Sequence, residues 1–75
     1  MTISAEPMQA LQKALDPLDI SILRDLANGA KLEVIAQTRH LSERSVRRRI
    51  RRVCGVYHVD TSIEAVVQAV RHGLI

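Results

Sequence analysis

The sequence has almost no aromatic residues: one tyrosine, Tyr57, and neither phenylalanine nor tryptophan among 75 residues. The core must therefore consist of leucine, isoleucine, valine and alanine, and the chain is long enough for one small domain. A single cysteine excludes an internal disulfide. Proteins without disulfides are typical of reducing compartments. There is no run of roughly 18 apolar residues to span a membrane and no secretory signal pattern. We therefore expect a cytoplasmic protein without a membrane partner.

Acidic residues are nearly missing from one segment, residues 39–52, which holds seven arginines and a single acid, Glu43. This segment carries +6 whereas the whole chain carries +3, so the other 61 residues carry −3. A solvated charged helix face would normally mix the two signs. One concentrated basic element on a mildly acidic body instead favours a polyanionic partner.

Apolar spacing and capping signals predict an all-α fold for the domain, residues 16–75. The four predicted helices lie at about residues 17–28, 31–38, 43–57 and 62–72. Asp16-Pro17 and Ser42 are typical residues before a helix start, and Thr61 with Glu64 has the spacing of a capping box. Residues 1–15 are expected to form an N-terminal arm or an extra short helix.

Each helix is predicted to bury one apolar face. Val46, Ile50 and Val53 should anchor the third helix to a core, and Val34 and Ile35 should point inward from the second. The expected partners of the third helix are Leu23, Leu26, Ile35 and the fourth helix. The fourth helix should point its large apolar residues inward: Ile63, Val66, Val67, Val70 and Leu74. Its outer face would then consist of Ala65, Gln68, Ala69 and His72.

Two short helices joined by a tight turn, the second with a basic outer face, suit binding in the DNA major groove. Residues 16–75 resemble the DNA-binding domain of LuxR-type transcriptional regulators. The matching residues are Asp16-Pro17, Leu23-Arg24, Leu26-Ala27, Gly29, Ile35-Ala36, Leu41 to Arg47, Val59, Glu64-Ala65-Val66 and Gly73-Leu74. The resemblance implies a small four-helix helix-turn-helix domain that binds double-stranded DNA, with residues 43–57 as the recognition helix.

The resemblance also implies roles for single residues. Contacts to base edges are expected from Arg47, Arg48 and Arg51. Contacts to DNA phosphates are expected from Arg44, Ser45, Arg49, Arg52 and Lys31, although ordinary surface charge explains Lys31 equally well. The fourth helix is expected to join two copies into a homodimer on DNA, through Ala65, Gln68, Ala69 and His72.

The chain departs from the LuxR-type pattern at several positions. Val34 replaces a usual acid, and Arg47-Arg48-Arg49 replaces a Lys-x-His pattern, so the DNA target cannot be taken from relatives. Arg39-His40 and Tyr57-His58 each replace a usual Leu-Gly. Arg39 is therefore expected either to swing out to phosphate or to change the turn.

A second class of function fits the same sequence. The basic helix would also suit a protein-interaction module that docks an acidic partner, such as RNA polymerase or another regulator. Cys54 and His58 have the spacing of half a metal site but lack a second pair, and no catalytic constellation is visible. We therefore predict neither an enzyme nor a cofactor.

Overall fold

The computed structural model of the chain describes residues 15–75, which form four α-helices and no strand. The helices are α1 (Pro17–Ala27), α2 (Leu32–Arg39), α3 (Glu43–Tyr57) and α4 (Ser62–Arg71). Each bound lies within one residue of its predicted position, so the all-α prediction is confirmed. The arm or extra helix predicted for residues 1–15 lies, except for Leu15, outside the described residues. None of these four helices is long and apolar enough to cross a membrane.

The helix starts follow the capping signals of the sequence. Asp16 precedes α1 and accepts a hydrogen bond from the backbone N–H of Asp19 at 2.9 Å, while the Asp19 carboxylate accepts from the N–H of Asp16 at 3.3 Å. This is a complete capping box, which the sequence did not predict. The box predicted before α4 is only half formed, because the Thr61 hydroxyl accepts from the N–H of Glu64 but itself donates to the Glu64 carboxylate.

Two helix ends use histidine in a left-handed conformation. His40 follows α2 and His58 follows α3, each with a φ of 57°. The next residues close the ends, since the N–H of Leu41 donates to the carbonyl of Ala36 at 2.8 Å and that of Val59 to Cys54 at 3.0 Å. Such an ending normally uses glycine. Histidine thus takes the place that glycine usually has at such a helix end, and the turn is retained.

The core consists of two clusters of buried residues that meet along α3. One cluster contains Leu15, Leu23, Val53, Cys54, Ala65 and Ala69, and the other contains Ile22, Ile35, Ala36 and Val46. Ile50 is half-buried and packs against both. The predicted anchoring of α3 by Val46, Ile50 and Val53 is therefore confirmed. The inward position predicted for Val34 is wrong, because its side chain is exposed and Ala36 is buried instead.

The predicted orientation of α4 is largely reversed. Ala65 and Ala69 are fully buried, whereas Ile63 is 75% exposed and Val67 and Val70 are also exposed. Small side chains let α4 approach α1 and α3 closely, and larger ones at the same positions would hold the helices apart. Only Val66 and Leu74 of the predicted inward stripe pack against the core.

The reversal of α4 corrects the predicted dimer contact. Ala65 and Ala69 lie in the core and present no surface to a second copy. Gln68 and His72 lie at the edge of the same inner side and are only half exposed. The His72 ring instead lies beside the Tyr57 ring, with centroids 5.8 Å apart.

Candidate nucleic-acid interface

The outer face of α3 holds four arginines, Arg44, Arg47, Arg48 and Arg51, which we call the outer arginines. All four are exposed, and together they line a shallow cavity with a volume of about 300 Å³. They lie three or four residues apart, so their side chains are neighbours on one side of the helix. The buried side of α3 holds Val46 and Val53, which fix this face towards the exterior.

The outer arginines are almost free of acidic partners. Arg47 lies 3.4 Å from the carboxylate of Glu43, and both side chains are about half exposed or more, so this pair contributes little. Within residues 15–75, Arg44, Arg48 and Arg51 make no salt bridge. Like charges at such spacings destabilise a helix by roughly 0.2–0.5 kcal/mol for each pair. A bound polyanion would remove this repulsion.

Two further arginines of α3, Arg49 and Arg52, point towards the start of α1. Arg49 donates hydrogen bonds to Asp16 at 3.0 Å and to Asp19 at 3.1 Å. Arg52 donates to the other carboxylate oxygen of Asp19 and lies 4.0 Å from Asp16. We call these four residues the clamp, because their ion pairs join the middle of α3 to the first turn of α1.

The clamp surrounds a buried carboxylate. The Asp19 side chain is fully buried but accepts hydrogen bonds from both arginines and from the Asp16 backbone. A buried charge is tolerated only when it is paired and hydrogen-bonded in this way. The N–H of Asp19 and then the Arg49 guanidinium lower the pKa of the Asp16 carboxyl, so it stays ionised in the clamp. The hydrogen bonds from Arg49 to Asp16 and Asp19 raise the pKa of Arg49.

A separate ion pair joins α2 to α1. Arg39 donates to both oxygens of the Asp25 carboxylate, with both distances 2.9 Å. This paired geometry is the strongest that arginine makes with a carboxylate. Arg39, the last residue of α2, therefore makes neither of the predicted arrangements: His40 keeps the shape of the turn, and the guanidinium lies against α1 instead of projecting outward.

The structure separates the seven arginines of residues 39–52 into two groups. The predicted base-contacting residues, Arg47, Arg48 and Arg51, all belong to the outer arginines, together with Arg44 from the predicted phosphate set. Arg49 and Arg52, the other two arginines of the predicted phosphate set, have their guanidinium groups held by Asp16 and Asp19.

The remaining predicted phosphate contacts lie at helix starts. Ser45 is in the first turn of α3, where its N–H donates to the Ser42 hydroxyl oxygen and its own oxygen accepts from that hydroxyl, both at 3.0 Å. Lys31 is exposed and immediately precedes α2, without a side-chain capping bond. Both positions are next to backbone N–H groups that favour anions.

We call Arg39, Arg49 and Arg52 the inner arginines. Sequence reasoning missed two of the acids that hold them, Asp19 and Asp25. A signal for Asp19 was present, because it lies three and four residues before the buried Ile22 and Leu23 and thus on the same apolar face of α1. A carboxylate on an apolar face requires a partner. No equivalent signal identifies Asp25, since its distance from Arg39 depends on how α1 and α2 pack.

The described residues thus form a small four-helix domain with an arginine-rich face on one helix. Comparisons with models of protein families, with curated proteins and with solved structures give no match. The resemblance to LuxR-type domains thus depends on the residues of the chain itself.

Proposed function

We propose that residues 16–75 are the DNA-binding domain of a LuxR-type transcriptional regulator, which binds double-stranded DNA in a sequence-specific manner in the cytoplasm. The observation that carries this proposal is the separation of the arginines. Arg39, Arg49 and Arg52 are neutralised by acids of α1, whereas the outer arginines share only one long contact to an acid within residues 15–75. A helix face with this much unpaired charge is suited to a polyanion.

The shape of α3 suits the major groove, which is about 12 Å wide and accepts one helix. Arg47, Arg48 and Arg51 lie on its exposed side, from which a guanidinium can donate two hydrogen bonds to O6 and N7 of guanine. Arg44, Ser45 and Lys31 would bind phosphates and set the position of α3, since phosphate contacts orient a protein without specifying sequence.

The clamp supports this function indirectly. Sequence-specific contacts require side chains to start from a rigid backbone. The clamp ties α3 to α1, and the pair of Arg39 with Asp25 ties α2 to α1. Both helices of the proposed helix-turn-helix, α2 and α3, are thus fixed to α1. The inner arginines therefore position the outer ones and need not touch DNA themselves.

We further propose that two copies bind one DNA site through α4. One recognition helix contacts only a few base pairs, so a half-site gives limited discrimination against the rest of a genome. The exposed apolar residues Ile63, Val67 and Val70 provide the surface, in place of the buried Ala65 and Ala69. A shallow cavity of about 260 Å³ next to them includes Leu26, Ala27, Ile63, Val66 and Val67. The small patch favours a dimer that forms mainly on DNA.

Selection of bound sequences from a random pool of duplexes tests the proposed function. We expect one enriched sequence, bound about 10³-fold or more tightly than a scrambled duplex at the same salt concentration. Arg51→Ala should relax the preference at one base position, whereas the control Arg71→Ala, an exposed arginine of α4, should leave the selected sequence unchanged.

The same experiment separates the alternative function. Unrelated duplex DNA that competes as well as the selected duplex would show that binding is only electrostatic. An acidic protein partner, such as RNA polymerase, that binds α3 and is not displaced by DNA would replace the proposed function by the protein-interaction module.

A further inference from the structure

A cavity of about 440 Å³ lies beside the outer arginines and is lined in part by two of them, Arg47 and Arg51. Its volume falls within the range of small-molecule sites, about 300–1,000 Å³. Its lining residues come from all four helices and from the segment before α4: Leu26, Leu32, Arg47, Ile50, Arg51, Cys54, Asp60 and Ser62.

The floor of this cavity is apolar. Leu26, Leu32 and Ile50 are half-buried there, and Cys54 is buried. Burial raises the pKa of the Cys54 thiol, and the negative charges of Glu64 and Asp60 raise it further. The thiol is therefore neutral and acts as an apolar surface. Asp60 is itself one of the residues that line the cavity.

Charged side chains of both signs line the cavity around this floor, and they form no ion pair with one another. Arg47 and Arg51 are cationic, Asp60 is anionic and Ser62 adds a hydroxyl. Within residues 15–75 Asp60 makes no salt bridge, and neither does Arg51. A ligand with only a carboxylate would leave Asp60 without a partner, and a ligand with only an amine would leave the two arginines without one. A ligand that carries both charges would satisfy both.

We propose that this cavity binds a free α-amino acid with an aliphatic side chain. Its carboxylate accepts hydrogen bonds from Arg47 and Arg51, its ammonium group donates to Asp60, and its side chain lies on Leu32, Ile50 and neighbouring apolar residues. Each of the three parts of the ligand thus meets the chemistry that suits it.

Occupancy would then compete with DNA. Arg47 and Arg51 would be engaged by the amino acid, and both belong to the residues that we propose to contact bases. The competition rests on the proposed function, whereas the ligand site itself does not. An amino acid would in this way act as an effector of the DNA-binding domain.

Titration of the protein with four ligands, followed by ¹H–¹⁵N NMR, tests the site without DNA. L-leucine carries all three parts, 4-methylpentanoate lacks the ammonium group, isoamylamine lacks the carboxylate and glycine lacks the side chain. Leucine should shift the amide signals of Ile50, Cys54, Asp60 and Ser62. The three incomplete ligands should bind at least about tenfold more weakly, since each loses a charged hydrogen bond or apolar burial.

Asp60→Asn gives the sharpest comparison, with Glu33→Gln as control for the loss of an exposed acid outside the cavity. Asp60→Asn should abolish the preference for leucine over 4-methylpentanoate, and Glu33→Gln should retain it. Equal binding of these two ligands by the parent protein, or no shift with any ligand, would overturn the proposal. Leucine binding by a protein that shows no DNA preference would instead overturn only the proposed function.

Discussion

Arg48 and Arg49 are adjacent in the chain but have opposite surroundings. Successive residues of a helix differ by 100° in direction, so Arg48 projects outward with the outer arginines while Arg49 reaches Asp16 and Asp19. The two side chains are chemically identical, and only the acids of α1 distinguish them. At the scale of single residues, the ion pairs therefore decide which arginines stay available to a partner.

Asp16 should make stability depend on pH in a defined direction. Its pKa is lowered in the folded protein, so its contribution is fully present above the unfolded value of about 3.9 and is lost as the pH falls through the folded value. Asp16→Asn keeps a good helix cap but removes the charge and the second oxygen, which accepts from Arg49. Denaturant unfolding should show a stability difference between parent and variant at pH 6 that shrinks towards pH 2. A difference that is constant over this range would contradict the role of the charge.

His40 and His58 should be replaceable by glycine with a gain in stability. The left-handed conformation strains any residue with a Cβ atom, and glycine removes that strain but adds freedom to the unfolded chain. We expect His40→Gly and His58→Gly each to stabilise the domain by roughly 0.5–1 kcal/mol. His72→Gly is the control, because His72 has a φ of −89° and should gain nothing. Equal melting temperatures for all four proteins would be inconsistent with strain.

At the scale of helices, α3 could be predicted from the sequence and the orientation of α4 could not. In α3 the apolar residues and the arginines occupy opposite sides, so periodicity alone identifies the buried face. In α4 alanine and branched apolar residues compete for the core, and hydrophobicity favours the larger ones. The short distance between α4 and its neighbours leaves room only for small side chains, so Ala65 and Ala69 are the residues that are buried. That distance is a property of packing, which a sequence pattern does not contain.

The two faces of α4 should respond differently to the same substitution. Val67→Gln changes an exposed residue and should leave the melting temperature nearly unchanged, while it abolishes cooperative binding to a duplex with two half-sites. Ala69→Gln places a polar side chain in a core position that is fully buried. It should destabilise the domain by roughly 1–3 kcal/mol through overpacking. The account of α4 fails if Ala69→Gln is tolerated and Val67→Gln unfolds the protein.

For the whole molecule, the sequence was sufficient for the element order and for the arginine face, because local spacing determines both. It was insufficient for the clamp and for the pair of Arg39 with Asp25, since these contacts join residues 14 to 33 positions apart. The charge of residues 39–52 suggested that all seven of their arginines could bind a polyanion. Tertiary structure pairs three of them with acids at or in α1 and leaves the other four without a partner on another helix within residues 15–75.

Two paired variants with the same charge change test this division of the arginines most directly. Arg48→Gln/Arg51→Gln should keep the parent's stability or exceed it and should lose sequence preference. The salt dependence of its DNA affinity should change little, because Arg44 and Lys31, which we propose to bind phosphates, are retained. Arg49→Gln/Arg52→Gln should cost on the order of 3 kcal/mol, because Asp19 stays buried without its partners. This inner variant should keep the parent's sequence preference under conditions in which it is folded.

The measurement is the unfolding free energy of each paired variant together with its affinity for the selected duplex over a range of salt concentrations. The division of the arginines predicts that the outer pair changes DNA binding and the inner pair changes stability. An inner pair that changes DNA preference without loss of stability, or an outer pair that changes only stability, would contradict the account.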